Sequence, residues 1–174
     1  MKLRGTSQDI DQVPAEAMVL SFFQDERPLK GPTGLTDWRM CGRFSKLIMR
    51  RFIDGRLGEP LLMPASHQLP VKMILLFGLG AREKFNLEQY RNIVQEICDV
   101  LRRLQVTQFS LALPGIALSN LEPAEAAEIL GKTVPSRFGP DHRLLEKLEV
   151  TVVADRNQLK SINPVLARLE RSFR

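Results

Sequence analysis

The sequence predicts an α/β fold, a three-layer α/β/α sandwich around a mixed, mostly parallel sheet. Three observations predict it. Five short apolar runs read as strands, and two of them, Met73–Phe77 and Phe109–Leu113, lack polar alternation. Continuous apolar runs suit strands covered on both faces. Helical patterns separate the strands, which is the alternation expected of helices packed on both sides of a sheet. Hydrophobic residues make up 44% and charged residues 26% of 174 residues, ordinary for one globular domain and unlike a disordered or fibrous chain.

In chain order, Lys2–Thr6 carries a weak strand signal, and Met18–Phe23 is the first clear strand. A helix is expected from Asp37 to about Phe52, capped by Thr36, with Trp38, Cys41, Phe44, Ile48 and Phe52 as its buried stripe and Gly55 as a left-handed residue beyond it. Strands Pro60–Met63 and Met73–Phe77 follow. The clearest helix runs from Leu87 to Leu104, with Leu87, Tyr90, Ile93, Val94, Ile97, Val100, Leu101 and Leu104 on one face. Asn86 caps its start, and Asp99 is spaced to pair with Arg102 and Arg103. After strand Phe109–Leu113, a helix starts at Pro123 and stops before Gly131, and Lys132–Pro140 reads as a surface loop. A short helix over Asp141–Leu148 leads to strand Val150–Ala154. The last helix starts at Asn163-Pro164 and buries Val165, Leu166, Leu169 and Phe173.

Several function classes are disfavoured. No apolar run approaches the roughly 18 residues of a membrane span. The opening Met1-Lys2-Leu3-Arg4-Gly5 has no apolar signal core, and two cysteines suit a reducing compartment, so the expected location is cytoplasmic. The net charge is +5, and the basic groups at Arg50-Arg51, Arg102-Arg103 and Arg168 to Arg174 have Asp54, Asp99 and Glu170 nearby. They read as solvated helix faces, and no specific nucleic-acid partner is expected. His67, His142, Cys41 and Cys98 are isolated, without the spacing that points several ligands at one metal ion. No G-x-S-x-G elbow surrounds a serine. Gly78-Leu79-Gly80 follows a strand, but Glu83 stands where a dinucleotide fingerprint needs its third glycine, so a tight strand exit is the better reading.

Two loops remain as candidates by position. Gly31 and Gly34 lie between strand Met18–Phe23 and the next helix, and Pro114–Asn120 lies between strand Phe109–Leu113 and the Pro123 helix. Both would emerge at the carboxyl ends of parallel strands, where open α/β sheets bind ligands.

Glu26–Phe44 (ERPLKGPTGLTDWRMCGRF), Gly58–Pro64 and Leu69–Arg82 (LPVKMILLFGLGAR) together resemble the N-terminal domain of leucyl aminopeptidases, two-domain, two-metal exopeptidases. The resemblance runs from about Asp9 to Ala154. The family's metal ligands belong to its following domain, with an N-T-D-A-E-G-R signature that this sequence does not contain. The resemblance therefore implies the fold, one domain over residues 1–174, and neither peptidase activity nor a cofactor. It implies an interaction or assembly module, acting with itself or with another protein.

That family domain is itself similar to macro domains, which bind ADP-ribose. Gln8–Gln12 and Ala15–Val19 resemble the macro-domain opening G-D-I-T…D-A-I-V-N, and Ser110–Glu128 resembles its strand, phosphate loop and helix. The resemblance implies an alternative role in binding ADP-ribose or another nucleotide. Asp9 would accept from the adenine amine, and Gly31, Gly34, Gly115, Ser119 and Asn120 would line the site. Two departures stand out. Ser21-Phe22-Phe23-Gln24 replaces N-A-A-N, and Ile116, Ala117, Leu118 and Ser119 replace a glycine-rich phosphate loop, where side chains restrict how closely backbone approaches a diphosphate.

Overall fold

The computed structural model describes residues 1–172. Strand β1 (Lys2–Thr6) leads through a 3-10 turn at Ile10–Gln12 to β2 (Ala15–Phe22). Helices α1 (Gly31–Arg39) and α2 (Arg43–Met49) precede β3 (Pro60–Pro64) and β4 (Val71–Gly78). Helix α3 (Leu87–Arg103), β5 (Gln108–Ala112), α4 (Pro123–Phe138), α5 (His142–Lys147), β6 (Glu149–Val153) and α6 (Arg156–Ser172) complete the order.

The strands form one sheet in the order β1-β6-β5-β2-β4-β3. Every pairing is parallel except β3 with β4. In β2, Met18, Leu20 and Phe22 face α1 and α2, packing with Met40, Phe44 and Ile48. Ala17 and Val19 face the opposite layer, with Ile93, Ile97 and Leu130 of α3 and α4 and Leu159 of α6. Both faces are covered, which is why the strand runs carry little polar alternation. Met73–Phe77 and Phe109–Leu113 fall on interior strands, as expected from their apolar character.

The expected helix over Asp37–Phe52 is two helices. Helix α1 already starts at Gly31, with Pro32 in its first turn. Thr36 is no cap: it is buried within α1 and its hydroxyl donates to the Pro32 carbonyl at 2.9 Å. The chain breaks where Cys41 and Gly42 take φ of 56° and 72°. Asp37 then caps α2, its Oδ1 accepting from the N–H of Phe44 at 2.7 Å and of Ser45 at 3.2 Å. The break rotates the stripe. Phe44 and Ile48 are buried, but Trp38 and Phe52 are 70% and 69% exposed and Cys41 is exposed.

The expected stop at Gly131 and loop at Lys132–Pro140 give way to helix as far as Phe138, with Pro135 inside it. Gly131 serves close packing: a Cβ there would come within 2.4 Å of Leu169 Cδ1 on α6. Helix α6 starts at Arg156, ahead of the expected Asn163, because Asp155 Oδ1 accepts from the N–H of Asn157 and Gln158 at 2.8 and 2.9 Å. Pro164 lies inside α6, which buries Leu159, Ile162, Leu166 and Leu169, while Phe173 lies outside the described residues. On α3, Asn86 caps as expected, accepting from Gln89 N–H at 3.0 Å. Asp99 pairs across to Arg137 of α4 at 3.6 Å rather than along its own helix.

Candidate functional site: a cleft at the carboxyl edge of the sheet

Strands β1, β6, β5 and β2 run parallel, so their carboxyl ends share one edge. A cleft of about 480 Å³ opens there, walled by Asp9 and Ile10, by Gly31 and Leu35 of α1, and by Ile116 and Arg156. A smaller hollow of about 80 Å³ adjoins it and shares Gly31, Pro32, Leu113 and Ala117 with it. Glu26, Lys30, Gly115 and Leu118 also line the smaller hollow.

Asp9 precedes the 3-10 turn without a side-chain capping bond, and it is exposed on the cleft wall. Its carboxylate is therefore available to accept from a ligand N–H. Behind it, Asp11 is buried and ion-paired to Arg39 of α1 at 2.7 Å, which ties the turn carrying Asp9 to α1. Asp155 is committed to capping α6, and its neighbour Arg156 is exposed beside the cleft.

Glu26 closes the other end. Its Oε2 accepts from Phe23 N–H at 3.0 Å and its Oε1 from Lys30 N–H at 2.9 Å, directly before α1. A carboxylate at a helix start is electrostatically favourable. Across the hollow, Gly115 has φ of 72°, and a Cβ there would meet the rings of Phe85 and Phe23 at 2.8 and 2.9 Å. Only glycine satisfies both the conformation and the space.

The residues singled out from sequence divide. Asp9 and Gly31 line the larger cleft, and Gly31 and Gly115 the smaller hollow. Gly34 sits in α1 against the Leu29 carbonyl and faces a separate shallow hollow beside Trp38 and Cys41. Ser119 accepts a bond from Leu121 N–H at 3.4 Å, Asn120 is exposed, and neither lines the cleft. Glu26 and Arg156 were not singled out. Glu26 had one legible signal, a carboxylate between the end of a strand and a proline-marked helix start. Arg156 had none, because the sequence pattern starts its helix seven residues too late.

The Gly78–Gly80 exit holds no free anion donors. The N–H groups of Gly78, Leu79 and Gly80 bond to the carbonyls of Glu59, Phe22 and Gly55. Cys98 is buried, and burial first, then Asp99, pushes its thiol up to about 12. Among the described residues, no group of three or more His, Cys, Asp or Glu could hold a metal ion.

The cytosol aminopeptidase family, N-terminal domain, matches residues 19–137. The chain belongs to this family. A probable cytosol aminopeptidase of Thermosynechococcus vestitus is 32% identical over 136 residues, covering 77% of this chain. The chain spans 27% of that relative's length, so it matches the family through the N-terminal domain. The tomato leucine aminopeptidase structure superposes with a TM-score of 0.67 at 14% identity, covering 93% of this chain and 34% of that one. The family domain shares its fold with macrodomains. The Trypanosoma brucei macrodomain in complex with ADP gives a TM-score of 0.74 at 14% identity, covering 95% of this chain and 69% of that one. Among the described residues, no helix is long and apolar enough to cross a membrane.

Proposed function

We propose that this domain binds a nucleoside-type ligand in the carboxyl-edge cleft, without transforming it. The carrying observation is the unpaired Asp9 carboxylate on the wall of a cleft of about 480 Å³. That volume falls within the roughly 300–1,000 Å³ of small-molecule sites. An exocyclic amine bonds to the carboxylate, and Ile10, Leu35 and Ile116 supply apolar cover for a base. The likeness to a macrodomain in complex with ADP supports a nucleotide-related ligand, and the carboxyl edge is where open α/β sheets bind ligands. Calorimetric titration with adenosine tests it on wild type and Asp9→Ala. Binding weakened about tenfold or more by the substitution is expected. Absence of heat in the wild type, or equal binding by both proteins, overturns it.

A second reading, a protein-interaction or self-assembly module, has its own observation. Trp38, Met49 and Phe52 are 70%, 75% and 69% exposed. They stand among exposed Arg43, Lys46, Arg50 and Arg51 on the α1–α2 segment. Large apolar side chains gathered at a surface mark interaction sites. Sedimentation of the wild type and of a Trp38→Ser, Phe52→Ser variant distinguishes self-association, which the variant would abolish, from a monomer.

A further inference from the structure

We infer that the outer face of α2 and the turn after it form a docking surface for an anionic lipid bilayer, which the domain meets from one side. No residue of the cleft takes part, so this surface is independent of the nucleoside reading.

The net charge of the chain is concentrated here. Residues 38–53 hold Arg39, Arg43, Lys46, Arg50 and Arg51 and no acidic residue. The whole chain has 25 basic and 20 acidic residues, so the rest of it holds 20 of each and carries no net charge. The flanking carboxylates do not neutralise the group. Asp37 is buried and caps α2, and Asp54 pairs with Arg56 at 3.2 Å. Arg39 is ion-paired to Asp11. Among the described residues, the other four cations have no carboxylate within ion-pairing distance.

Helix periodicity gives α2 two faces. Phe44 and Ile48 point inward and are buried. Arg43, Lys46, Met49 and Arg50, spaced by three or four, fall on the opposite side and are exposed. The chain turns at Arg51, whose φ is 55°, and the N–H of Phe52 bonds back to the Leu47 carbonyl at 2.9 Å. Phe52 leaves this turn 69% exposed. Trp38 stands at the other end of α2, beside the Asp37 that caps it, with the Arg39 guanidinium 5.2 Å from its ring centre.

The occupants of such a face differ in what they require. A second copy seated through a twofold contact sets the same cations against each other. A nucleic acid uses the cations but gains little from the thioether of Met49. A rigid protein needs a pocket for each projecting side chain. An anionic bilayer uses every feature at once: phosphates for the cations, and a deformable boundary in which Trp38, Met49 and Phe52 sink without preformed pockets. Side chains with an apolar body and a polar tip, such as tryptophan, lysine and arginine, suit that boundary. The face also lies away from the cleft. Gly31 lines the cleft at one end of α1, and Arg39 ends that helix roughly 12 Å further on.

Trp38 is the only tryptophan in the chain and reports on this face directly. The test mixes the full chain with phosphatidylcholine vesicles, alone or with about 30% phosphatidylserine, and records sedimentation with the vesicles and Trp38 emission. Phosphatidylserine vesicles are expected to carry the protein down and to shift Trp38 emission to the blue. Binding to phosphatidylcholine alone is expected to be weaker by about tenfold or more. Arg43→Gln, Lys46→Gln and Arg50→Gln together are expected to weaken binding about a hundredfold, at about fivefold per cation near an anionic surface. Met49→Ser with Phe52→Ser leaves every charge in place and is expected to weaken it about tenfold. All five sites are exposed, so both variants are expected to keep the wild-type melting transition, and the two lipids compared on the wild type decide without them. Equal binding to both vesicles overturns the inference, as does Trp38 emission that stays unchanged while the protein sediments. Undiminished binding by the Met49→Ser, Phe52→Ser variant overturns it too, and assigns the cations to a soluble polyanion such as an acidic polypeptide or a nucleic acid. Lipid-free self-association that those serines abolish overturns it in favour of a second copy.

Discussion

Arg39 Nε on α1 lies 2.7 Å from Asp11 Oδ2 in the turn below the cleft, and the two side chains differ sharply in exposure, 40% against 2%. The other carboxylate oxygen of Asp11 is buried without a partner. The pair is therefore asymmetric. Losing Asp11 frees a guanidinium that can turn to water, whereas losing Arg39 leaves the buried carboxylate with only a 3.4 Å bond from Gln12 Nε2.

The asymmetry gives the first prediction. Arg39→Ala is expected to destabilise by about 3 kcal/mol, in the range for breaking a buried pair from one side. Asp11→Ala is expected to cost nearer 1 kcal/mol, the size of a lost hydrogen bond. Urea unfolding of both variants checks it. Equal losses, or the reverse order, would show that solvent reaches Asp11 and that the ion pair does not anchor the turn.

Alkaline pH supplies the second. Cys98 is fully buried, and its thiol is raised to about 12 by desolvation, with Asp99 adding to the shift. Tyr90 on the same helix is wholly buried, its hydroxyl donating to the Ala126 carbonyl of α4 at 3.0 Å, and desolvation raises its phenol as well. Both groups hold their protons more tightly folded than unfolded. The stability they contribute is present below the unfolded values, near 8.5 for a thiol and 10 for a phenol, and is lost as pH rises past them. Stability is expected to fall by about 1.4 kcal/mol per pH unit above pH ~9 through Cys98, and more steeply above ~10. Cys98→Ala should remove the first component. Parallel profiles for wild type and Cys98→Ala between pH 8 and 10, measured by denaturant unfolding, would refute the assignment.

The third concerns Gly131. An alanine here gains about 1 kcal/mol of helix propensity. Against that, its Cβ falls 2.4 Å from Leu169 Cδ1 in the buried contact between α4 and α6. Overpacking of this kind costs about 1–3 kcal/mol. Gly131→Ala is expected to destabilise by about 1 kcal/mol net, and Gly131→Ala with Leu169→Val to recover part of it. Thermal melts of the single and double variants decide. A stabilised single variant would mean that Leu169 moves aside freely.

Gly131 also shows where sequence reasoning stops. A glycine followed by a proline four residues later has the local pattern of a helix end, and only the approach of α6, more than thirty residues on, explains why the helix continues. Pro164 misleads in the same way, because the capping carboxylate of Asp155 starts α6 well before it. Strands were legible because burial on both faces leaves a local mark, a continuous apolar run, as at Met73–Phe77 and Phe109–Leu113. The cleft was legible through loop position, which found Gly31 and the loop that holds Gly115, and through the macro-domain resemblance, which pointed to Asp9. Glu26 works through backbone N–H groups on either side of it, a geometry that composition does not record.

The last prediction couples stability to the cleft at Gly115. Its φ of 72° costs a residue with a side chain about 1–2 kcal/mol. A Cβ would also press on Phe23 and Phe85, whose rings meet edge to face with centroids 5.2 Å apart. Both are aromatic and buried, so neither can retreat as a flexible chain end could. Gly115→Ala is therefore expected to destabilise by about 3 kcal/mol, the sum of the conformational cost and a moderate overpacking cost. The displaced Phe23 ring also walls the hollow at the Glu26 end, and the Phe23 N–H donates to Glu26. Adenosine binding, centred at the Asp9 end, should change little in this variant at a temperature where it is folded. A stability loss below about 1 kcal/mol would show that the loop relaxes out of the left-handed region, and that the ring pair is not the constraint that demands glycine.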